Sequence, residues 1–301
     1  MRTLDSLDER ALTAALRDGR LCIQTGLFHT VVSTRESIVH AGLRRLYARN
    51  PIVLDPEFAD YHIEVARVPG LRRWVRPQVT FRMDGVEPFK PLPAEQAFAM
   101  FEWGLNWCVA SMAHRWMMLH SAVLARDGHA IVLPAPPGSG KSTLCAALAF
   151  HGWRLLSDEI VVLDPHSDEV WPLARPINVK NQSIDVVRAF LPQALVTKPV
   201  NDTKKGTVAH IAPPATAVAG MNEPAQVKWV VFPKWERGVA TSFEPLTSAE
   251  VFAALVENAF NYDVQGEDGF AALTRIAIRA HGFRFTYSDL SEAVRAFGAL
   301  E

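Results

Sequence analysis

No one sign of charge dominates this chain. Thirty-one Lys and Arg stand against 32 Asp and Glu, a formal net charge of −1 over 301 residues. That balance excludes the strongly basic surface on which non-specific nucleic-acid binding depends. Long apolar runs are missing as well. The most apolar stretch, Phe98 to Met118, is interrupted by Glu102, Asn106, His114 and Arg115. It falls short of the ~18 apolar residues of a membrane span and reads as a buried helix. Cysteine is scarce: Cys22, Cys108 and Cys145 are odd in number and far apart. This excludes a disulfide framework and an all-cysteine zinc site, and fits free thiols in a reducing compartment. Met1 to Arg20 carries Asp5, Asp8, Glu9 and Asp18 and no apolar block, unlike a secretory signal. A cytoplasmic location is therefore expected, with neither membrane nor nucleic acid as partner. The histidines outside His120 show no close metal-ligand spacing, so no zinc site is expected. There is no internal repeat, and the 17 Gly and 20 Pro are scattered without period, which excludes collagen-like and low-complexity classes.

What is present reads as an ordinary globular chain, 49% hydrophobic and 21% charged, long enough for one large domain or two smaller ones. Met1 to Asp18 reads as a short amphipathic helix, followed by strands over Leu21 to Gly26 and Phe28 to Thr34. A helix is predicted over Ser37 to Ala48, with Ile38, Leu43 and Leu46 on its apolar side. Strands follow at Tyr61 to Val65 and Val79 to Met83. A helix from Pro93 to His114 carries a stripe of Phe98, Phe101, Leu105 and Cys108. Trp116 to Ala125 and His129 to Leu133 read as strands around an Arg126-Asp127-Gly128 turn. A helix over Ser142 to Phe150 and a single strand over Arg154 to Leu163 come next. Beyond lie a hairpin at Asp164 to Ser167, a polar loop near Lys180 and a strand at Val227 to Phe232. Helices are predicted at Ser248 to Asn261 and Gly269 to His281, then a strand at Phe283 to Tyr287 and a last helix to Glu301. The tryptophans 103, 107 and 116 and the methionines 112, 117 and 118 read as core. A change of texture near residue 112 suggests a boundary, with an α+β part over 1–112 and a nucleotide-binding part over 113–301.

The chemistry concentrates at Ala135 to Ser142. This segment fits the phosphate-loop template G-x-x-x-x-G-K-[ST] except that Ala135 stands at the first glycine. Gly138 and Gly140 free the backbone to turn its N–H groups toward a polyphosphate. Lys141 offers a charge to the β- and γ-phosphates, and Ser142 a hydroxyl for Mg²⁺ at a helix head. The apolar strand before the segment and the Leu-Cys-Ala-Ala-Leu helix after it supply the required context. The plainer reading is a Gly/Ser/Lys surface turn.

Asp158-Glu159 is the second signal, an acidic pair inside the apolar run Arg154 to Leu163. Burying it requires a cation or a proton to meet it. Beside a phosphate loop, one carboxylate can hold Mg²⁺ and the other can take a proton from a hydroxyl. The alternative is a strand end with both carboxylates in solvent. His120, within Met117 to Val123, reads either as a satisfied strand residue or as part of the catalytic centre.

Together these pieces resemble the HPr kinase/phosphorylase family, bacterial serine kinases unrelated in fold to eukaryotic protein kinases. The resemblance rests on His120, on Pro137-Gly138-Ser139-Gly140-Lys141-Ser142-Thr143 and on Gly152 to Glu159. Lys141 stands 21 positions after His120 and 17 before Asp158. The likeness covers about residues 112–301, is specific at its centre, and is greatest to the divergent kinases of peptide-modification and other biosynthetic gene clusters. It implies an α/β fold: a P-loop kinase domain of the HPr kinase and phosphoenolpyruvate carboxykinase type behind an N-terminal α+β accessory part. It also implies a cofactor set of ATP or GTP with Mg²⁺, and a protein or peptide serine as phosphoryl acceptor. The loop residues Pro137 to Thr143 would bind nucleotide, with Lys141 on the β- and γ-phosphates. Ser142 and Asp158 would hold the metal, Glu159 would be the base, and His120 would lie near the phosphates. The roles of Asp158 and Glu159 are open to exchange. The sequence departs from the family at Glu159, where the family has Asp, and at Ala135. The family's Glu-x-Arg-Gly signature is only faintly present from Glu169 to Val179, so neither a metal carboxylate at Glu169 nor the reverse, phosphorylase activity is carried over.

Transfer of a phosphoryl group also needs cations. Arg175, Lys180, Lys204, Lys205 and the Pro233 to Arg237 loop are candidates, with Lys180 and Lys205 preferred for phosphate or acceptor contact. A solvated basic turn is the plain alternative for each. The sequence leaves open a small-metabolite acceptor, a non-catalytic nucleotide-dependent regulator or scaffold, and assembly into a homo-oligomer.

Overall fold

In the computed structural model, which describes residues 2–70, 75–136 and 138–300, side-chain alternation sets the first sheet. Along Tyr61–Arg67 the residues Tyr61, Ile63 and Val65 are buried while His62 stands in solvent. Leu21–Thr25 is buried throughout and forms a hairpin with Phe28–Thr34. Tyr61–Arg67 runs parallel to Phe28–Thr34, the helix Ser37–Leu46 lying in the connection between them. Ile52–Leu54, Gln78–Met83 and the short Leu92–Pro93 complete this sheet.

The helix Ala97–Met112 covers it. Most of this helix is buried, so its apolar residues face more than one neighbour. Two glycines let it approach closely. A methyl group on Gly104 would lie 2.0 Å from the Phe81 ring, and one on Gly42 of the Ser37–Leu46 helix 2.1 Å from the Phe98 ring. One consequence governs the site: Glu102 and Asn106, the polar interruptions of the apolar stretch, are carried inward with the helix.

A larger sheet lies behind, in the order Glu169–Trp171, Ile160–Leu163, Met117–Arg126, His129–Pro134, Ala225–Trp235, His281–Tyr287, Ser242–Pro245. Arg154–Ser157 also pairs with Met117–Arg126. Ala225–Trp235 runs parallel to both His129–Pro134 and His281–Tyr287, whereas the pairings on the Met117–Arg126 side are antiparallel. The helices Lys141–Ala149 and Leu290–Gly298 pack on one face, Ser248–Glu257 and Tyr262–Arg279 on the other. A small sheet of Ile177–Lys180, Val200–Thr203 and Gly206–Ile211 stands beside the first face. The chain is thus mixed α/β with several sheets. The core around the helix Ala97–Met112 also takes in Trp116, Met118, Ile160, Val162 and Leu173, so apolar packing runs continuously across residue 112. Among the described residues, no helix is long and apolar enough to cross a membrane.

Several expectations change. The strand expected over Arg154 to Leu163 is two strands, Arg154–Ser157 and Ile160–Leu163. Asp158 and Glu159 leave the ladder between them, with Ser157 Oγ accepting from the Ile160 N–H at 3.2 Å. Ile38 is exposed, because the buried stripe of its helix runs Val39, Gly42, Leu43 and Leu46. Met112, at the end of its helix, is also exposed, while Met117, Met118 and Trp116 are core as expected. Trp103 and Trp107 are only partly buried. Lys180 ends a strand rather than sitting in a loop, and an unforeseen helix, Gln182–Phe190, follows it. The helix expected from Gly269 starts at Tyr262, with Gly266 non-helical within it. Pro137 lies outside the described residues.

Because the Phe81 ring is fully buried and cannot swing away, Gly104→Val should lower the unfolding free energy by about 1–3 kcal/mol. Urea denaturation should show this as a lower midpoint at unchanged slope.

Candidate active site

The apolar strand His129–Pro134 drives the chain through the middle of the large sheet and delivers it to the loop at its end. Gly138 and Gly140 there have φ of 90° and 89°, which only glycine adopts without strain. Ala135 is buried and does not share the positive φ, so a methyl group is tolerated where the template has its first glycine. Gly140 caps the helix Lys141–Ala149. A side chain on it would run into the Tyr287 hydroxyl at 2.6 Å. The loop is anchored through its carbonyls: Trp235 N–H donates to Ser139 O at 2.9 Å and Tyr287 OH to Gly140 O at 3.2 Å. Among the described residues no side chain caps the N-terminus of this helix, the kind of terminus that can receive an anion.

Lys141 and Thr143 are buried and Ser142 is half-buried. Lys141 Nζ is out of water and, among the described residues, makes no hydrogen bond; the same is true of Ser139 Oγ and Asp158 Oδ1. Asp158 Oδ2, by contrast, accepts from Ser142 Oγ at 3.3 Å and from the Asn178 N–H at 3.0 Å. Burial, then the adjacent Glu159 charge, pushes the Asp158 carboxyl up to about 6, against the pull of Lys141. Burial likewise lowers the Lys141 ammonium, against both carboxylates.

Glu159 is held differently. Asn106 Nδ2 donates to Glu159 Oε2, Asn178 Nδ2 reaches Oε1 at 3.5 Å, and Lys205 Nζ lies 3.7 Å from Oε1. Burial works to raise this carboxyl, but Lys205, Lys180, Arg175 and His120 together hold it below its ordinary value. Lys205 also sits 5.6 Å over the Trp103 ring. Lys180 is half-buried and lowered by burial and by Lys205.

His120 pairs with Ile160 across the ladder. Its backbone N–H donates to Asn258 O at 2.7 Å, and its ring meets Phe260 edge-on at 5.7 Å between centroids. Burial, then the Lys141 charge, drives its imidazole down to about 4, so at neutral pH it is an uncharged hydrogen-bonding group.

The structure therefore brings His120, Lys141, Ser142, Asp158, Glu159, Lys180 and Lys205 into one electrostatic neighbourhood. Lys204 is exposed on the turn beside Lys205. Lys234 is paired with Glu236 at 2.7 Å. Glu169 lies past Leu163, at the far end of its strand from Glu159, and Ser167 Oγ bonds its carboxylate. It takes no part in the site.

Sequence reasoning missed the layer beneath Glu159. Arg175, named only as a candidate phosphate cation, is buried and faces inward. Its Nη2 donates to Glu102 O and Oε2, both at 2.8 Å, and its Nη1 to Asn106 Oδ1 at 2.7 Å. Glu102 Oε1 accepts from Tyr47 OH at 2.7 Å. A chain of bonds thus runs from Tyr47 through Glu102, Arg175 and Asn106 to Glu159. Burial works against the Arg175 charge, yet Tyr47 and Glu102 hold it above the usual arginine range. Glu102, Asn106, Glu159, Arg175 and His210 line a small cavity, and among the described residues His210 Nε2 has no hydrogen-bond partner. The available sequence signal was the spacing: Glu102 and Asn106 lie four apart on one face of an apolar helix, where polar groups need partners.

Removing one partner of a buried ion pair strands the other. Arg175→Met should therefore lower the unfolding free energy by about 3–5 kcal/mol, and adding Glu102→Leu should restore at least half of that loss in urea denaturation. His120 makes a second test. Its folded pKa lies below the ordinary 6.5, so the unfolded chain binds the extra proton first. The stability tied to a neutral His120 is fully present above pH 6.5 and is lost as pH falls toward about 4. An NMR titration of its imidazole should place the midpoint near 4, and a midpoint at or above 6.5 would contradict this arrangement.

No family model matches the chain, and no curated protein matches it. Among solved structures, an Hpr(Ser) kinase/phosphatase from Coxiella burnetii aligns over 60% of this chain and 90% of its own, with 10% sequence identity and a TM-score of 0.28.

Proposed function

We propose that this protein is an ATP-dependent, Mg²⁺-requiring kinase of the HPr-kinase-related type, transferring the γ-phosphoryl group to a serine hydroxyl of a protein or peptide. One observation carries the reading. Among the described residues, Lys141 Nζ and Asp158 Oδ1 are both buried and unpartnered, at the head of the helix Lys141–Ala149. Orphaned buried groups of opposite charge at a phosphate-loop terminus ask for a ligand that is anionic on one side and cationic on the other. A magnesium–nucleotide polyphosphate satisfies both.

In this reading Lys141 and the backbone of Gly138 to Thr143 hold the polyphosphate, and Ser142 with Asp158 holds the metal. Bound there, Mg²⁺ supplies neutralisation of charge on the β- and γ-phosphate oxygens. Glu159 accepts the proton of the attacking hydroxyl at its carboxylate, oriented by Asn106 and Asn178. Lys180 and Lys205 offset negative charge on the acceptor side, and neutral His120 offers a hydrogen bond without adding charge. The division into a 1–112 accessory part and a 113–301 kinase part belongs to the same proposal, modified by the contribution of Asn106 from the first part.

Space supports an extended acceptor in this reading. The cavity bounded by Glu159, Asp158, Arg175, Asn178 and His210 measures about 20 Å³, enough for a water molecule but not for a sugar or an amino acid. The acceptor therefore approaches Glu159 from the solvent side, past the exposed Lys205 and Phe260. An open approach suits a chain segment better than an enclosed metabolite.

Incubation with γ-labelled ATP, Mg²⁺ and serine-containing peptides from neighbouring genes should label a serine, located by mass mapping. Lys141→Ala should abolish transfer, and transfer retained in that variant would sink the proposal. Glu159→Gln should keep nucleotide affinity within a few-fold while losing about 10²–10⁴ in transfer rate, the scale of a general base. Nucleotide binding with no label on any peptide would favour a regulatory scaffold.

A further inference from the structure

We infer that Trp235 is the platform on which the base of the bound nucleotide stacks, an assignment that rests on the phosphate-site reading above. The sheet splits the surroundings of the phosphate loop into two unlike sides. On one side are the antiparallel strands that carry His120 and flank Asp158 and Glu159, the polar and charged groups. On the other side Ala225–Trp235 and His281–Tyr287 run parallel to the loop's own strand, so their carboxyl ends open at the same edge of the sheet. In open α/β sheets, ligands lie outside the carboxyl ends of such strands. With its phosphates at Gly138 to Ser142 and its metal toward Asp158, a nucleotide has the parallel side left for its nucleoside.

Trp235 is what it meets there. In register, Val230 pairs with Val132, so Trp235 stands beyond the end of the His129–Pro134 strand, level with the loop. Its N–H donates to Ser139 O at 2.9 Å, and its Cβ lies 3.1 Å from where a Gly140 side chain would begin. The indole is fixed, since Nε1 donates to Ser288 O at 3.1 Å. It is nevertheless 46% exposed. A large aromatic ring that is immobilised yet open to solvent beside an anion site has the properties of a stacking surface. The Tyr287 ring, by contrast, is buried beneath the loop and bonds Gly140 O. Stacking is tolerant of base identity, so this platform accepts adenine or guanine alike.

The test separates base from phosphate. Calorimetric titrations with Mg²⁺-ATP and with Mg²⁺-tripolyphosphate are run on the full chain and on Trp235→Ala, Trp235→Leu and Trp235→Phe. The wild type should bind ATP more tightly than tripolyphosphate. Trp235→Ala and Trp235→Leu should weaken ATP by about 5- to 150-fold while tripolyphosphate changes less than twofold. Trp235→Phe, which keeps a ring, should retain most of the ATP affinity. Trp235→Leu keeps apolar bulk, so it serves if Trp235→Ala folds poorly. ATP affinity unchanged in Trp235→Leu, equal loss of both ligands, or a wild type that does not prefer ATP would overturn the inference. A wild type that binds neither ligand would overturn the phosphate site itself, and this inference with it.

Discussion

The site depends on a buried ion pair. Arg175 and Glu102 meet at 2.8 Å with both side chains buried, and each has come from a different part of the chain. Desolvating two charges is costly, and their attraction offsets it only when the remaining donors and acceptors are also satisfied. Here Tyr47 takes one Glu102 oxygen and Asn106 one Arg175 nitrogen. Such a pair is weak evidence for stability but stronger evidence for position, because neither partner can move without stranding the other. It locks the helix Ala97–Met112 to the segment that leads into the strand Ile177–Lys180. Asn106 and Asn178, the two amides that grip Glu159, sit on those two elements.

The same framework drives the two carboxylates apart. Asp158 and Glu159 are neighbours in sequence, yet Asp158 is raised by burial and by Glu159 while Glu159 is held low by the cations around it. Adjacent groups pushed in opposite directions are suited to different tasks. Asp158, already bonded to Ser142 and partly orphaned, is poised for a cation that would relieve its burial. Glu159, kept ionised by the cations around it, is bonded by the side-chain amides of Asn106 and Asn178.

Strands and helices with clean periodicity were legible from the sequence: Phe28–Thr34, Tyr61–Arg67 and the buried helix over Ala97–Met112 follow from alternation or from an apolar stripe. So were the positive-φ positions Gly138 and Gly140, because glycine there answers to a local backbone requirement. The break at Asp158-Glu159 was not, since nothing local distinguishes a strand bearing acids from two strands parted by a turn. Asn178 and Asn106, remote in sequence, bond the two carboxylates where they leave the ladder. Arg175 was misjudged for a related reason: a cation near a phosphate loop and a cation under it have the same composition. The small sheet around Ile177–Lys180 was missed because Val200–Thr203 and Gly206–Ile211 are short, and the first is polar; only pairing makes them strands.

Mixed strand directions account for the layout of the whole site. Antiparallel neighbours of the loop's strand bring turns and strand breaks to its edge, and those are places where carboxylates can leave a ladder and turn inward. Parallel neighbours bring bare carboxyl ends, where an aromatic side chain can stand clear of the sheet. One strand, His129–Pro134, has an antiparallel partner on one side and a parallel partner on the other. The loop it feeds therefore lies on the line dividing a charged half from an aromatic half. A nearly neutral chain thereby concentrates opposite charges around Lys141, and in the proposed reading the direction of the strands sets which way a nucleotide would lie, reactive end to base.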